Sequence, residues 1–238
     1  MSANELIDYS AERTKGIYHQ GYSKYYREYD EQYTSTPDYK HYTDKLTNHT
    51  LSFPYKIDVL DIGCGTGRYF HALQNVHLLT GIDISINMLN EAQNPLYKGE
   101  VRIEKTDLIE GNFYEHDFRE KKFDFIYSIG VLGEHAPFTL DACNKIFDLL
   151  NEGGVCYITL VDIKHRKNLK RKIADILYIF MPASIKRKLD ERWKACYMTR
   201  KQVDNIITQS KFTNYNIGSY RSQDTHWQGV HFEFEGRK

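Results

Sequence analysis

Residues 61–68, Asp-Ile-Gly-Cys-Gly-Thr-Gly-Arg, combine a carboxylate with three closely spaced glycines. Glycine at 63, 65 and 67 lets the backbone turn tightly and approach a ligand closely. The turn directly follows an apolar run, residues 57–62, that reads as a buried strand. A dinucleotide-binding turn needs GxGxxG with a small residue where this chain has Arg68, and here the third glycine comes one residue early. Asp61, just ahead of the glycines, suits a ligand that carries an ammonium group better than one that carries a pyrophosphate. Asp83 ends a second apolar run, where a carboxylate can accept two hydrogen bonds from vicinal hydroxyls. His135 lies in Gly-Val-Leu-Gly-Glu-His-Ala-Pro, residues 130–137. An imidazole titrates near pH 6.5 when unperturbed, about where a general base is useful. His135 therefore reads either as a base or as a residue that caps or packs within its loop. Glu134 beside it is the second candidate, suited to an amine or a cationic acceptor.

These groups need a scaffold, and its elements alternate. Residues 57–62 and 78–83 read as strands, and 101–105, 123–129 and 155–161 as three more. Residues 69–74, 86–93 and 139–150 read as helices between them, the last stopped at Glu152-Gly153-Gly154. Strands alternating with helices imply βαβ units and a doubly wound, mostly parallel sheet of the α/β class. Residues 216–220 and 230–235 read as a closing antiparallel hairpin. Ligands in such a sheet bind beyond the carboxyl ends of the strands, where Asp61, Asp83, Asp107 and Ser128 are expected to gather.

In this order and spacing the segments resemble the class I S-adenosylmethionine-dependent methyltransferases. Asp61 to Gly67 resembles their first motif, and Gly81-Ile82-Asp83-Ile84-Ser85 followed by Met88-Leu89 their second. Thr106-Asp107-Leu108 resembles the third and residues 123–128 the fourth. Leu150-Asn151-Glu152-Gly153-Gly154 resembles the turn before the fifth strand, with Glu152 in place of the usual proline. The resemblance covers residues 55–162 and implies a seven-stranded, Rossmann-like sheet with S-adenosylmethionine as cofactor. It implies that Asp61, Gly63, Cys64, Gly65 and Gly67 seat the methionine end, with Cys64 there as a small residue and not as a reagent. Asp83 would hold the ribose, Asp107 and Leu108 the adenine, and Ile84, Met88 and Ser128 would join them around the cofactor. The loop bearing Glu134 and His135 would face the methyl group. Base-amino methyltransferases resemble one another in an Asn/Asp-Pro-Pro-Tyr/Phe motif after the fourth strand, where this chain reads Ser128-Ile129-Gly130-Val131. No cysteine stands there for attack on a cytosine.

The chain has 238 residues, with 32 basic and 32 acidic side chains and a formal net charge of zero. That balance weighs against a whole-molecule electrostatic grip on nucleic acid. Four cysteines without CxxC spacing read as free thiols, and no apolar run approaches the roughly 20 residues of a membrane span. With no signal-peptide pattern at the N-terminus, a cytoplasmic location is expected. Ten of the 19 tyrosines lie in the first 55 residues, with weak helical signals at 4–13 and 40–48 and a break at Pro37. This stretch, 1–55, is expected to close over the cofactor crevice as a lid on a methyltransferase domain of 56–238. Tyr25, Tyr29 and Tyr33 would share one helical face, Tyr25 and Tyr33 near the cofactor.

A helical insert at 163–198 carries two basic clusters around an apolar run. It reads as a solvated substrate cap, as the seat of an acidic or lipid-linked acceptor, or as a peripheral membrane contact. No metal is expected, since Asp162 has no companion ligands in the sequence. The reading reached is methyl transfer to a small-molecule acceptor, with O-methylation favoured over N-methylation. The alternatives are a protein or RNA acceptor, a non-catalytic cofactor-binding module, and an NAD-dependent oxidoreductase.

Overall fold

The computed structural model describes residues 3–18, 20–163, 182, 196–223 and 229–238. The chain opens with three helices: α1 (Ala3–Ile17), α2 (Gln20–Tyr33) and α3 (Pro37–Leu51). The break expected at Pro37 is a helix start. Pro37 occupies the first turn of α3, where its missing N–H costs nothing, and the Thr36 side chain accepts the Tyr39 N–H at 3.2 Å.

Seven strands follow: β1 (Ile57–Ile62), β2 (Val76–Asp83), β3 (Ile103–Glu110), β4 (Phe123–Ser128), β5 (Leu150–Val161), β6 (Asn214–Arg221) and β7 (Val230–Arg237). Between them lie α4 (Ile86–Ala92), α5 (Leu140–Leu149) and α6 (Arg200–Gln209). The sheet order is β3-β2-β1-β4-β5-β7-β6. β1 to β5 run parallel, and β7 is antiparallel to both neighbours. This is the mostly parallel α/β sheet expected, closed by the expected hairpin.

The period of two along each strand divides the core between the two faces. Leu60, Ile62, Ile126, Cys156 and Ile158 pack with α5 and α6. Val59, Phe125, Tyr127 and Tyr157 face α3 through Tyr42 and Leu46. Asp61 alternates with Leu60 and Ile62 and so falls on the α3 face.

Residues 69–74 do not form the helix expected. They make a single 3-10 turn at Phe70–Ala72 before β2 begins at Val76. The stretch is too short for a crossover helix, and α3 supplies its missing partners. Thr47 donates to the Ala72 carbonyl at 2.8 Å, and the Gln74 N–H donates to Thr50 at 3.0 Å.

α3 also holds the C-terminal hairpin. Asp38 accepts from the Tyr220 hydroxyl at 2.8 Å, from the Gln223 N–H at 2.8 Å and from the Ser222 hydroxyl. Tyr42 and His231 meet at 2.7 Å, and so do His41 and Glu233. The basic insert expected at 163–198 falls largely outside the described residues.

Candidate active site

A cavity of about 330 Å³ opens at the carboxyl ends of β1, β2 and β4, beneath α1 and α2. Its floor is the glycine turn. Gly63 has φ +77°, and a Cβ there would stand 2.3 Å from Val131 Cγ2, so only glycine fits. Gly67 has φ +71°, and a Cβ there would meet the Phe70 ring at 2.8 Å. The N–H groups of Gly63 and Cys64 are both bound by the Ile82 carbonyl, at 2.8 and 3.2 Å. Gly67 shapes the turn without lining the cavity, whereas Gly63, Cys64 and Gly65 line it. Burial pushes the Cys64 thiol well up, which gives it no role as a nucleophile.

Asp83 ends β2 with both oxygens held: the Gly65 N–H donates to one and the Ser85 N–H to the other, each at 2.9 Å. Burial raises its carboxyl, and these backbone donors oppose the rise. Ile84 and Met88 line the wall beside it.

Asp61 is more extreme. It is 4% exposed and accepts the Tyr127 hydroxyl at 2.6 Å. Burial lifts its carboxyl from an ordinary 3.8 to about 8. The Tyr127 hydrogen bond opposes the lift and the nearby Asp83 adds to it. An ammonium group arriving here would supply the positive charge that this carboxylate lacks.

Besides Gly67, four expected cofactor residues lie elsewhere. Asp107 pairs with Thr80 in mid-strand, because β3 runs on to Glu110, which is level with Asp83. Its carboxylate is on the surface, 2.8 Å from Lys121 Nζ. Leu108 packs against the core on the α3 face. Gly111, Asn112 and Phe113, just past the true end of β3, line the cavity in their place. Ser128 is fully buried and donates to the Ile62 carbonyl at 2.9 Å, tying β4 to β1. Tyr25 is 60% exposed and off the cavity; Tyr18, Tyr26, Tyr29 and Tyr33 line it instead. A row of tyrosines on α2 at positions 22, 26, 29 and 33 has rings that contact one another in series, and the last three line the cavity, while Ser23 and Asp30 are the buried positions of the helix.

Glu134 and His135 both line the cavity. Their loop is fixed by the Val131 carbonyl, which accepts from the N–H groups of Glu134, His135 and Ala136 at 2.9–3.1 Å. The His135 Nε2 is 3.3 Å from the Tyr18 hydroxyl. Its Nδ1 is buried with no hydrogen-bond partner among the described residues. Burial, with Arg13 nearby, pushes the imidazole down to about 4, so it is neutral at physiological pH.

Arg68 is a wall residue that the sequence reading used only against a dinucleotide. Its guanidinium lies 4.9 Å from the ring centre of Tyr26 and 4.7 Å from that of Tyr33, and Nε donates to Asp30 at 2.5 Å. Its signal was a lone cation inside the glycine turn. Among the described residues no group of three or more His, Cys, Asp or Glu side chains could hold a metal.

Comparison with known proteins agrees with the fold. The chain is 30% identical to a demethylmenaquinone methyltransferase of Bacillus licheniformis over 162 residues, 65% of this chain and 66% of that protein. It is 27% identical to a sterol 24-C-methyltransferase of Clavispora lusitaniae over 131 residues, 53% of this chain and 35% of that one. The matches thus span about one third to two thirds of these relatives' own length. In fold it is similar to a Synechocystis magnesium protoporphyrin IX methyltransferase crystallised with S-adenosylhomocysteine (TM-score 0.59, 15% identity). That likeness covers 99% of this chain and 97% of the other. The sequence model described as "Methyltransferase domain" matches residues 55–216, most of the chain, and the protein belongs to that family.

Proposed function

We propose that the protein transfers a methyl group from S-adenosylmethionine to a hydroxyl of a small-molecule acceptor. One observation carries this reading: a single cavity joins a buried carboxyl group, Asp61, and a partly buried one, Asp83, to a neutral imidazole with an unused nitrogen. The cofactor, when bound, supplies an electrophilic methyl group on a sulfonium. The rest falls to the protein's own groups. Asp83, pre-aimed by Gly65 and Ser85, would accept the two ribose hydroxyls. Asp61 would face the ammonium, and residues 111–113 the adenine. Gly63 allows the glycine turn to lie against Val131, so the cofactor seat and the loop bearing His135 are built as one piece.

His135 would orient and deprotonate the acceptor through Nδ1, because Nε2 already faces Tyr18. An imidazole this hard to protonate is a weak base. An oxygen that is giving up a lone pair holds its proton weakly, however, so a neutral acceptor atom at the right distance suffices. Glu134 stands beside it as the alternative acceptor of a proton.

A tyrosine-lined cavity beneath helices favours a metabolite over an RNA or protein acceptor. The relatives' substrates, a menaquinone precursor and sterols, support an apolar or lipid-linked molecule. Among the described residues no helix is long and apolar enough to cross a membrane. Action in the cytoplasm, with peripheral contact to a membrane that stores such an acceptor, fits this reading.

The test is incubation of the purified protein with methyl-labelled S-adenosylmethionine and a cell extract, followed by separation of small molecules and lipids from protein and RNA. Label in the small-molecule or lipid fraction is expected. Label in protein or RNA would overturn the acceptor class, and no label in any fraction would favour a non-catalytic binding module.

A further inference from the structure

Asp30 of α2 is completely buried, yet it belongs to the segment expected to act as a movable lid. It is wholly engaged with the glycine turn. The Thr66 hydroxyl donates to one oxygen, and Arg68 donates Nε to the other at 2.5 Å while its Nη2 closes the ion pair. One turn earlier, Arg27 donates to the carbonyls of Thr66 at 3.3 Å, Glu91 at 2.5 Å and Asn94 at 3.0 Å. α2 is therefore keyed into the cofactor seat as a fixed wall.

The electrostatics give this keying a purpose. Arg68 lines the cavity that holds Asp61 and Asp83, walled by tyrosine rings. Those rings attract a cation but carry no net charge to cancel it. Asp30 is the carboxylate paired with it. Without Asp30, the site would present a lone buried cation to its ligand. Charges in a desolvated wall act over several ångströms with little screening.

We infer that Asp30 is a positioning residue that sets the charge preference of the cofactor site: by neutralising and fixing Arg68, it lets the site hold the cationic sulfonium cofactor as readily as its uncharged thioether product. The inference rests on S-adenosylmethionine as the cofactor. S-adenosylhomocysteine has the same amino-acid end, ribose and adenine, and differs by one positive charge and a methyl group. A purely structural loss at Asp30 would weaken both ligands alike. An electrostatic loss would weaken only the sulfonium.

The experiment is calorimetric titration of the whole protein with S-adenosylmethionine and, separately, with S-adenosylhomocysteine, read as the ratio of the two dissociation constants. Asp30→Asn should raise that ratio by about tenfold, the order expected for one uncovered unit charge acting within a cavity wall of effective dielectric about 20. The double variant Asp30→Asn with Arg68→Met should return it to within about twofold of the wild-type ratio. If Asp30→Asn does not fold, Arg68→Met alone decides: it uncovers the Asp30 carboxylate, so the ratio should fall several-fold. An unchanged ratio in Asp30→Asn, or an unchanged or raised ratio in Arg68→Met, overturns the inference while leaving the cofactor assignment intact. Failure of the wild type to bind either ligand overturns the cofactor assignment itself.

Discussion

Asp61→Asn should make the ligand-free protein more stable, and more so the higher the pH. In the folded state burial lifts the Asp61 carboxyl to about 8, whereas in the unfolded chain it returns to its ordinary 3.8. Between those values the folded protein holds a proton that the unfolded chain releases, so stability falls as pH rises. The contribution is fully present below pH 3.8 and is gone once the pH passes about 8. Each pH unit inside the window costs about 1.4 kcal/mol, so moving from pH 5 to pH 7 costs about 3 kcal/mol. Asparagine mimics the protonated acid, can still accept the Tyr127 hydroxyl, and does not titrate. The wild-type and variant curves therefore share every other pH effect, and their difference isolates this carboxyl. Urea unfolding of both proteins at pH 5, 6 and 7 measures it. The stability gap should widen by about 3 kcal/mol across the series, while the variant binds S-adenosylmethionine more weakly. A gap that stays flat with pH would mean Asp61 is already ionised in the empty site, and the account of that site would fail.

Three further outcomes follow. His135→Ala should lower turnover by at least about tenfold with little change in cofactor affinity. Unchanged turnover would remove His135 as the base and leave alignment as the source of rate. Gly63→Ala should cost about 2 kcal/mol in denaturant unfolding, from the left-handed backbone at φ +77° and the contact with Val131, and should abolish measurable cofactor binding. Asp107→Asn should leave cofactor affinity within about twofold and stability within about 0.5 kcal/mol, because it breaks only a surface pair with Lys121. A large loss of affinity there would put the adenine at β3 after all.

The sheet was legible because its buried parallel strands are continuous apolar runs, and the glycine turn because its spacing tolerates little else. Asp83 followed from its place at a strand end. Asp107 was read at a strand end because the apolar alternation breaks after Ile103, at Glu104-Lys105-Thr106, whereas the edge strand β3 continues through Leu108 and Ile109 to Glu110 and leaves Asp107 in mid-strand. Residues 111–113 were hidden for the same reason. The helix expected at 69–74 failed because helical residue types there are outweighed by the short distance to β2. α2 was hard to see because its buried positions, Ser23 and Asp30, are polar and the residues beside them are tyrosines in place of aliphatics. Even a four-residue step through 25, 29 and 33 drifts around a helix of 3.6 residues per turn. The mixed three- and four-residue steps of 22, 26, 29 and 33 hold the face. Asp30 carried no signal at all, since only the fold brings it to Arg68.

The embrace between α3 and the closing hairpin sets an order of events during synthesis. Asp38, His41 and Tyr42 leave the ribosome early, but their partners, Tyr220, Ser222, His231 and Glu233, emerge about 180 residues later, at roughly 5–20 residues per second. For some ten seconds or more the nascent chain holds a helix whose polar groups have nowhere to go. The parallel strands meanwhile lack the antiparallel pair that completes one edge. A translational pause before residue 214, or a truncated message, would therefore yield a species with an open sheet edge and an unpaired α3. That species is the one a chaperone would have to shield.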